Sequence, residues 1–187
     1  MKSRQDAWAL LTAYTTEPHL IRHALAVEAA MRGYARRLGE DEELWGLTGL
    51  LHDFDYERWP TLADHPLKGS EILRQEGYPE EMVVAILGHG NHTGVARTTA
   101  MAHHLFAVDE LTGLVMAVAM VKGRQLAAVE PGSVLRKMKD KAFARGVSRQ
   151  DVLDGAQEIG RPLEEHVGLV ISDLMLVAPE LGLAGPA

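Results

Sequence analysis

The chain has 187 residues, a formal net charge of −7 and no cysteine. That acidity excludes a general nucleic-acid binder, which needs a basic face against phosphates. The lack of thiols excludes disulfides, zinc fingers, iron–sulfur clusters and cysteine nucleophiles, so any metal must sit on nitrogen and oxygen ligands. Hydrophobic residues make up 47% and charged residues 24%, the usage of an ordinary globular chain that buries a core without staples.

Apolar residues recur at spacings of three and four from one end to the other, and runs with period two are absent, so the chain reads as all-α. A first helix is expected over Arg4–Ala13. Pro18 opens a second, with Ile21, Ala24, Leu25 and Ala29 on its apolar face and Gly39 as its stop. Asp41 begins a third, which runs through Leu44, Leu47 and Leu51 to about Asp53. The segment from Phe54 to Asp64, interrupted by Pro60, is expected to be a loop. Pro66 starts a fourth helix closed by Gly77, and Pro79 a fifth that ends at Gly88-His89-Gly90. A long apolar helix follows from about Thr99 to Val121. Beyond Pro131-Gly132, a basic helix is expected over Ser133–Ala144. Ser148 with Asp151 signals the next helix start, and Pro162 opens a last helix to about Ala178. With no repeat or linker, residues 1–187 read as one domain. No run approaches the ~18 continuous apolar residues of a membrane span, and the charged N-terminus lacks a secretory signal's apolar run. A cytoplasmic protein that binds no membrane is the expectation.

Nine histidines supply the nitrogen donors. The candidate ligands, in order, are His23, His52-Asp53, His65, His89 and Asp109. Each sits at a helix start, at a helix end or on an apolar helix, where packing can bring them together. Imidazole and carboxylate donors together suit a divalent transition metal (Fe, Mn, Co, Ni or Zn), and one carboxylate can bridge two ions.

The segments HLIRHALAVEAAMRGYA, GLLHDFDYERWP, HPLKGSEIL, AILGHGNHT and LFAVDELTGLV, spread over residues 18–120, resemble the HD-domain metal-dependent phosphohydrolase superfamily. The resemblance implies a single helical bundle with a central metal site. Residues 18–120 would carry its motifs, and residues 133–178 would form C-terminal helices. It matches His23 to the family's first histidine, His52 and Asp53 to the His-Asp pair, and Asp109 to the final aspartate. His65 and His89 match the two further histidines of its binuclear branch. After the pair, many members continue with Ile-Gly, whereas this chain has Phe54-Asp55. The match implies one ion on His23, His52, Asp53 and Asp109 and a second on Asp53, His65 and His89. In a single-ion alternative, His65 and His89 would bind the substrate's phosphate. Asp53, His65 and His89 are the residues expected to serve catalysis.

The implied activity is hydrolysis of a phosphate ester or anhydride in a small metabolite, a nucleotide being the expected class. A di-iron oxygenase and a non-catalytic sensor on the same fold are the alternatives. His92, in the glycine-rich loop after His89, is a candidate substrate contact, and His19 lies one turn before His23. Glu110, beside Asp109, is placed to orient a ligand or a water. Asp55 and Glu57 read as solvated loop acids, His103 and His104 as facing solvent or the pocket rim, and His166 as surface. The basic run from Arg136 to Arg149 reads as a solvated face or as a cationic wall over the site. In the second case Lys137 and Lys141, four apart on one helix, would meet a phosphate together.

Overall fold

A computed structural model describes residues 2–185. The nine helices among them are α1 (Arg4–Tyr14), α2 (Pro18–Leu38), α3 (Glu42–Leu51), α4 (Leu67–Gln75), α5 (Glu80–His89), α6 (Ala100–Val121), α7 (Pro131–Met138), α8 (Arg149–Glu158) and α9 (Leu163–Met175). The only extended pairing in the described residues is an isolated bridge between Gln125 and Ala184. The chain is all-α, as its periodicity requires.

Local chemistry sets most helix ends. The Asp41, Thr99 and Ser148 side chains accept from backbone N–H groups of α3, α6 and α8, each filling an orphan donor position. Gly39 ends α2 at φ 74°, a left-handed conformation that costs glycine little. Asp55 and Glu57 are not free loop acids. Glu57 accepts from the backbone N–H groups of Thr16 and Glu17, where the chain enters α2.

Helix α6 runs through the centre, packed on α2, α5, α8 and α9, while α2 also lies along α3. Its Leu105, Leu111, Leu114, Val115 and Val118 are buried, and removing such a side chain costs about 2–5 kcal/mol. By length and composition α6 is apolar enough to cross a bilayer, although no single run of its sequence shows this. In the fold, 61% of its most apolar window is buried inside the protein, so the core accounts for its composition. At Gly155 of α8, an added Cβ would lie 2.6 Å from the Ala107 Cα of α6, and the absence of a side chain lets the two helices close. The paired carboxylate oxygens of buried Asp173 on α9 accept from Arg37 of α2, both at 2.7 Å.

The basic helix differs from expectation. It stops at Met138, because the next carbonyls have another partner. The Arg149 guanidinium donates to the carbonyls of Asp140, Phe143, Ala144 and Val147. In addition, the Asp140 side chain accepts from the Ala142 N–H, a local turn that competes with helix. Lys141 therefore lies beyond the helix and shares no face with Lys137. The last helix likewise ends early, at Met175, and continues as turns.

Candidate metal centre

Four helices and one turn deliver six side chains to a single point. His23 comes from α2, His52 and Asp53 from the end of α3, His65 from the turn before α4, His89 from the last residue of α5, and Asp109 from the middle of α6. They form two groups, His23-His52-Asp109 and Asp53-His65-His89, and within each group the donor atoms lie within 4.8 Å of one another. Asp53 joins the groups through its two oxygens. Its Oδ2 is 3.4 Å from His52 Nε2 and 3.9 Å from His23 Nε2. Its Oδ1 is 3.1 Å from His65 Nε2 and 3.3 Å from His89 Nε2. Asp109 Oδ1 completes the first group, at 2.9 Å from His23 and 3.4 Å from His52.

The rings are oriented from behind. His52 Nδ1 donates to the Gly49 carbonyl at 2.8 Å, and His89 Nδ1 to the Ile86 carbonyl at 2.5 Å. His65 Nδ1 donates to Asp55 Oδ1 at 2.8 Å. Each bond directs Nε2 inward, the arrangement by which metal-binding histidines are commonly held. His52 Nε2 is fully buried and has no hydrogen-bond partner. An orphaned buried nitrogen facing two carboxylates is costly unless a proton or a cation binds there. The donor set thus fits divalent metal binding, with nitrogen and oxygen ligands only.

Electrostatics agree. Burial opposes charge throughout the site, yet the carboxylates of Asp53 and Asp109 outweigh it and hold His52 well above the usual histidine range. Against the same burial, Asp53 and Asp55 push His65 up to about 9. His52 in turn holds both Asp53 and Asp109 well below the usual carboxylate range. These carboxylates demand positive charge, and a divalent ion would supply it in place of imidazole protons.

The HD domain family model matches residues 20–156, a span that contains all six side chains and most of the chain. The protein belongs to the HD domain family. Members are generally metal-dependent phosphohydrolases. No solved structure was found to match the chain.

Around this HD-domain centre opens a cleft of about 710 Å³. His19, Leu20, Tyr56 and Leu62 line one side, Asn91 and His92 another, and Glu110, Gly113, Gly146, Val147 and Asp151 a third. His92 is thus in the cleft, its Nε2 donating to the His65 carbonyl at 2.8 Å. Gly88 and Gly90 do not use left-handed conformations to turn His89 inward. Gly90 instead leaves room for the His92 ring, which an added Cβ would approach to 2.6 Å. Lys137 and Lys141 do not line the cleft. Lys137 pairs with Asp140 and sits over Phe143.

Three side chains were misjudged from sequence. Asp55 is fully buried, holding His65 with one oxygen and the Gly69 N–H with the other at 2.8 Å. His166 is not on the surface. It is fully buried, and its Nε2 donates to the Ala107 carbonyl at 2.9 Å, so Nδ1 accepts from the Tyr34 hydroxyl at 2.6 Å. His104 is buried against Tyr34 and Trp45, not at the rim, while His103 pairs with Glu158. Glu110 does face the site. Its Oε2 accepts from the Ser148 N–H at 3.1 Å, and burial with the neighbouring Asp109 raises its pKa to about 7.

Proposed function

We propose that this protein is a metal-dependent phosphohydrolase that cleaves a phosphate ester or anhydride of a small metabolite at a binuclear site. One observation carries the reading: two three-residue donor groups meet at Asp53, each with one of its oxygens. His23, His52 and Asp109 would hold one ion with Asp53 Oδ2, and His65 and His89 the other with Asp53 Oδ1. Such a pair polarises a phosphoryl group and lowers the pKa of a water to near neutrality.

The chain's own contribution is placement. The Gly49 and Ile86 carbonyls and the Asp55 carboxylate keep three Nε2 atoms aimed at the site. The cleft accepts the organic portion of the substrate, with His92 at its edge. Water attacks phosphorus, the bond from phosphorus to the leaving oxygen breaks, and the leaving group takes up a proton. The products are an alcohol (or a shorter phosphate) and inorganic phosphate.

The test is a panel of nucleoside mono- and diphosphates, cyclic nucleotides, dinucleoside polyphosphates and simple phosphate monoesters. It is assayed both with and without oxygen after loading with Zn, Mn, Co, Ni or ferrous iron. Phosphate release with a redox-inert ion supports hydrolysis. Turnover that requires oxygen and iron would replace it with the oxygen-activating alternative.

A further inference from the structure

Arg97 lies in the segment between α5 and α6, outside the six donors, and its guanidinium joins three parts of the site. Nη1 donates to the Gly88 carbonyl at 2.8 Å and to Asn91 Oδ1 at 3.0 Å. Nε and Nη2 donate to the two oxygens of Glu158 on α8, at 2.8 and 2.6 Å. The guanidinium carbon sits 3.8 Å from the centroid of the Phe106 ring of α6. Every guanidinium nitrogen is engaged, in a forked geometry that a lysine does not reproduce.

Two of these partners stand next to the metal centre. Gly88 precedes His89, and its carbonyl is among the last four of α5, which have no partner within the helix. Arg97 supplies that partner and sets a positive charge at the helix's negative end. Its stem passes so close that a Cβ added at Gly88 would lie 3.2 Å from Arg97 Cγ, which accounts for this glycine. Phe106 lines the cleft, one turn before Asp109.

On the α8 side the tie is double. Asn91, held by Arg97 through Oδ1, donates from Nδ2 to Asp151 Oδ1 at 3.2 Å, two helical turns from Glu158. Glu158 Oε2 also accepts from His103 Nδ1 at 2.8 Å. Hydrogen bonds from Arg97 hold the Glu158 carboxyl below the usual carboxylate range against partial burial, so the ion pair stays charged. The Ile86 carbonyl orients the His89 ring within α5, whereas Arg97 fixes the end of α5 itself against α6 and α8.

We propose that Arg97 is a positioning residue for the Asp53-His65-His89 group, which sets where His89 Nε2 stands by holding the end of α5 against α8. This rests on the binuclear phosphohydrolase reading and makes the cleft's third wall part of what determines ion binding.

The test titrates metal-free protein with zinc alone by calorimetry, and His65→Ala identifies which binding step belongs to which group. Arg97→Gln should weaken the Asp53-His65-His89 step by about tenfold, as for other groups that orient metal-binding histidines, and leave the other step in place. Arg97→Lys, which keeps the charge but not the fork, should recover part of that loss. Glu158→Gln should weaken the same step, and by less in the Arg97→Gln background, because the two residues act through one contact. Equal losses at both steps, or unchanged affinities with lowered stability in urea, would show a merely structural role and overturn the proposal. Should Arg97→Gln not fold, Arg97→Lys and Glu158→Gln make the same comparison. If wild type takes only one ion, the binuclear reading fails by itself. Inorganic phosphate binding to the zinc-loaded protein then decides for His89 as a phosphate ligand. Weaker phosphate binding in Arg97→Gln sustains the positioning role, and equal binding overturns it.

Discussion

Replacing Asp53 with alanine removes a carboxylate from both donor groups at once. Asp53→Ala is expected to retain neither tight ion and to lose at least about 10³-fold in turnover, since metal activation of water is the main source of rate. The single-group variants should differ. Metal analysis is expected to find near two ions per chain in wild type and near one in His65→Ala, with His23→Ala depleting the other ion. Wild type saturating at one ion under excess metal would recast His65 and His89 as phosphate ligands. Asp55 touches no ion position but holds His65 from behind. Asp55→Ala should weaken binding at the Asp53-His65-His89 group by about 10–100-fold, as for other groups that orient metal-binding histidines, and leave the other group's affinity in place. Titration of chelated protein with one metal reads the two affinities separately. The six ligand candidates were legible because helix starts, helix ends and apolar helices carried them in a recognisable order. Asp55 was not, since its burial comes from α4 closing over it, where Gly69 leaves space for its carboxylate.

At the scale of elements, caps and breakers announced most helices within a few residues. The failure at α7 is instructive. Ser133–Ala144 has helical composition, but Arg149, further along the chain, takes the Asp140 carbonyl that a helix continuing to Ala144 would need. A contact of that kind leaves no mark on local periodicity. The resulting turns carry Gly146 and Val147 into the cleft, so Arg149 shapes the cleft without contacting its contents. The α6–α8 packing is a second determinant of the wall. In Gly155→Ala the new methyl meets the α6 backbone rather than a flexible side chain, and overpacking of this sort costs about 1–3 kcal/mol. Because α8 carries Asp151, the variant should raise KM more than it lowers kcat. Urea unfolding and steady-state kinetics check the two halves, and unchanged stability would mean the helices part without cost.

Across the whole molecule, His166 joins α9 to α2 through Tyr34 and to α6 through Ala107. Glu164 and Glu165 made it look superficial, although its spacing of four from Val170 placed it on the inner face. Burial lowers its pKa to about 4, against about 6.5 in an unfolded chain. Between these values the unfolded chain binds more protons. The contribution of neutral His166 is therefore whole above pH 6.5 and is lost as the pH falls to about 4, amounting to about 3 kcal/mol. His166→Gln should flatten that part of the stability curve. Parallel curves for the two proteins would show that His166 does not titrate on unfolding.

The composition of α6 has a consequence for biosynthesis. The 22 residues Ala100–Val121 leave the ribosome before α7, α8 and α9 exist to cover them. During that interval the nascent chain displays a segment that hydropathy alone does not distinguish from a membrane anchor. Asp109, one of the six candidate ligands, and its neighbour Glu110 sit in the middle of it, and carboxylates near the centre of such a segment raise the cost of insertion by a few kcal/mol each. The two carboxylates would thus also weigh against membrane insertion of the unfinished chain. Ribosome-bound chains halted before residue 163 should recruit chaperone, and Asp109→Leu with Glu110→Leu should divert them towards membranes. The same halted chains with both acids intact should stay off membranes.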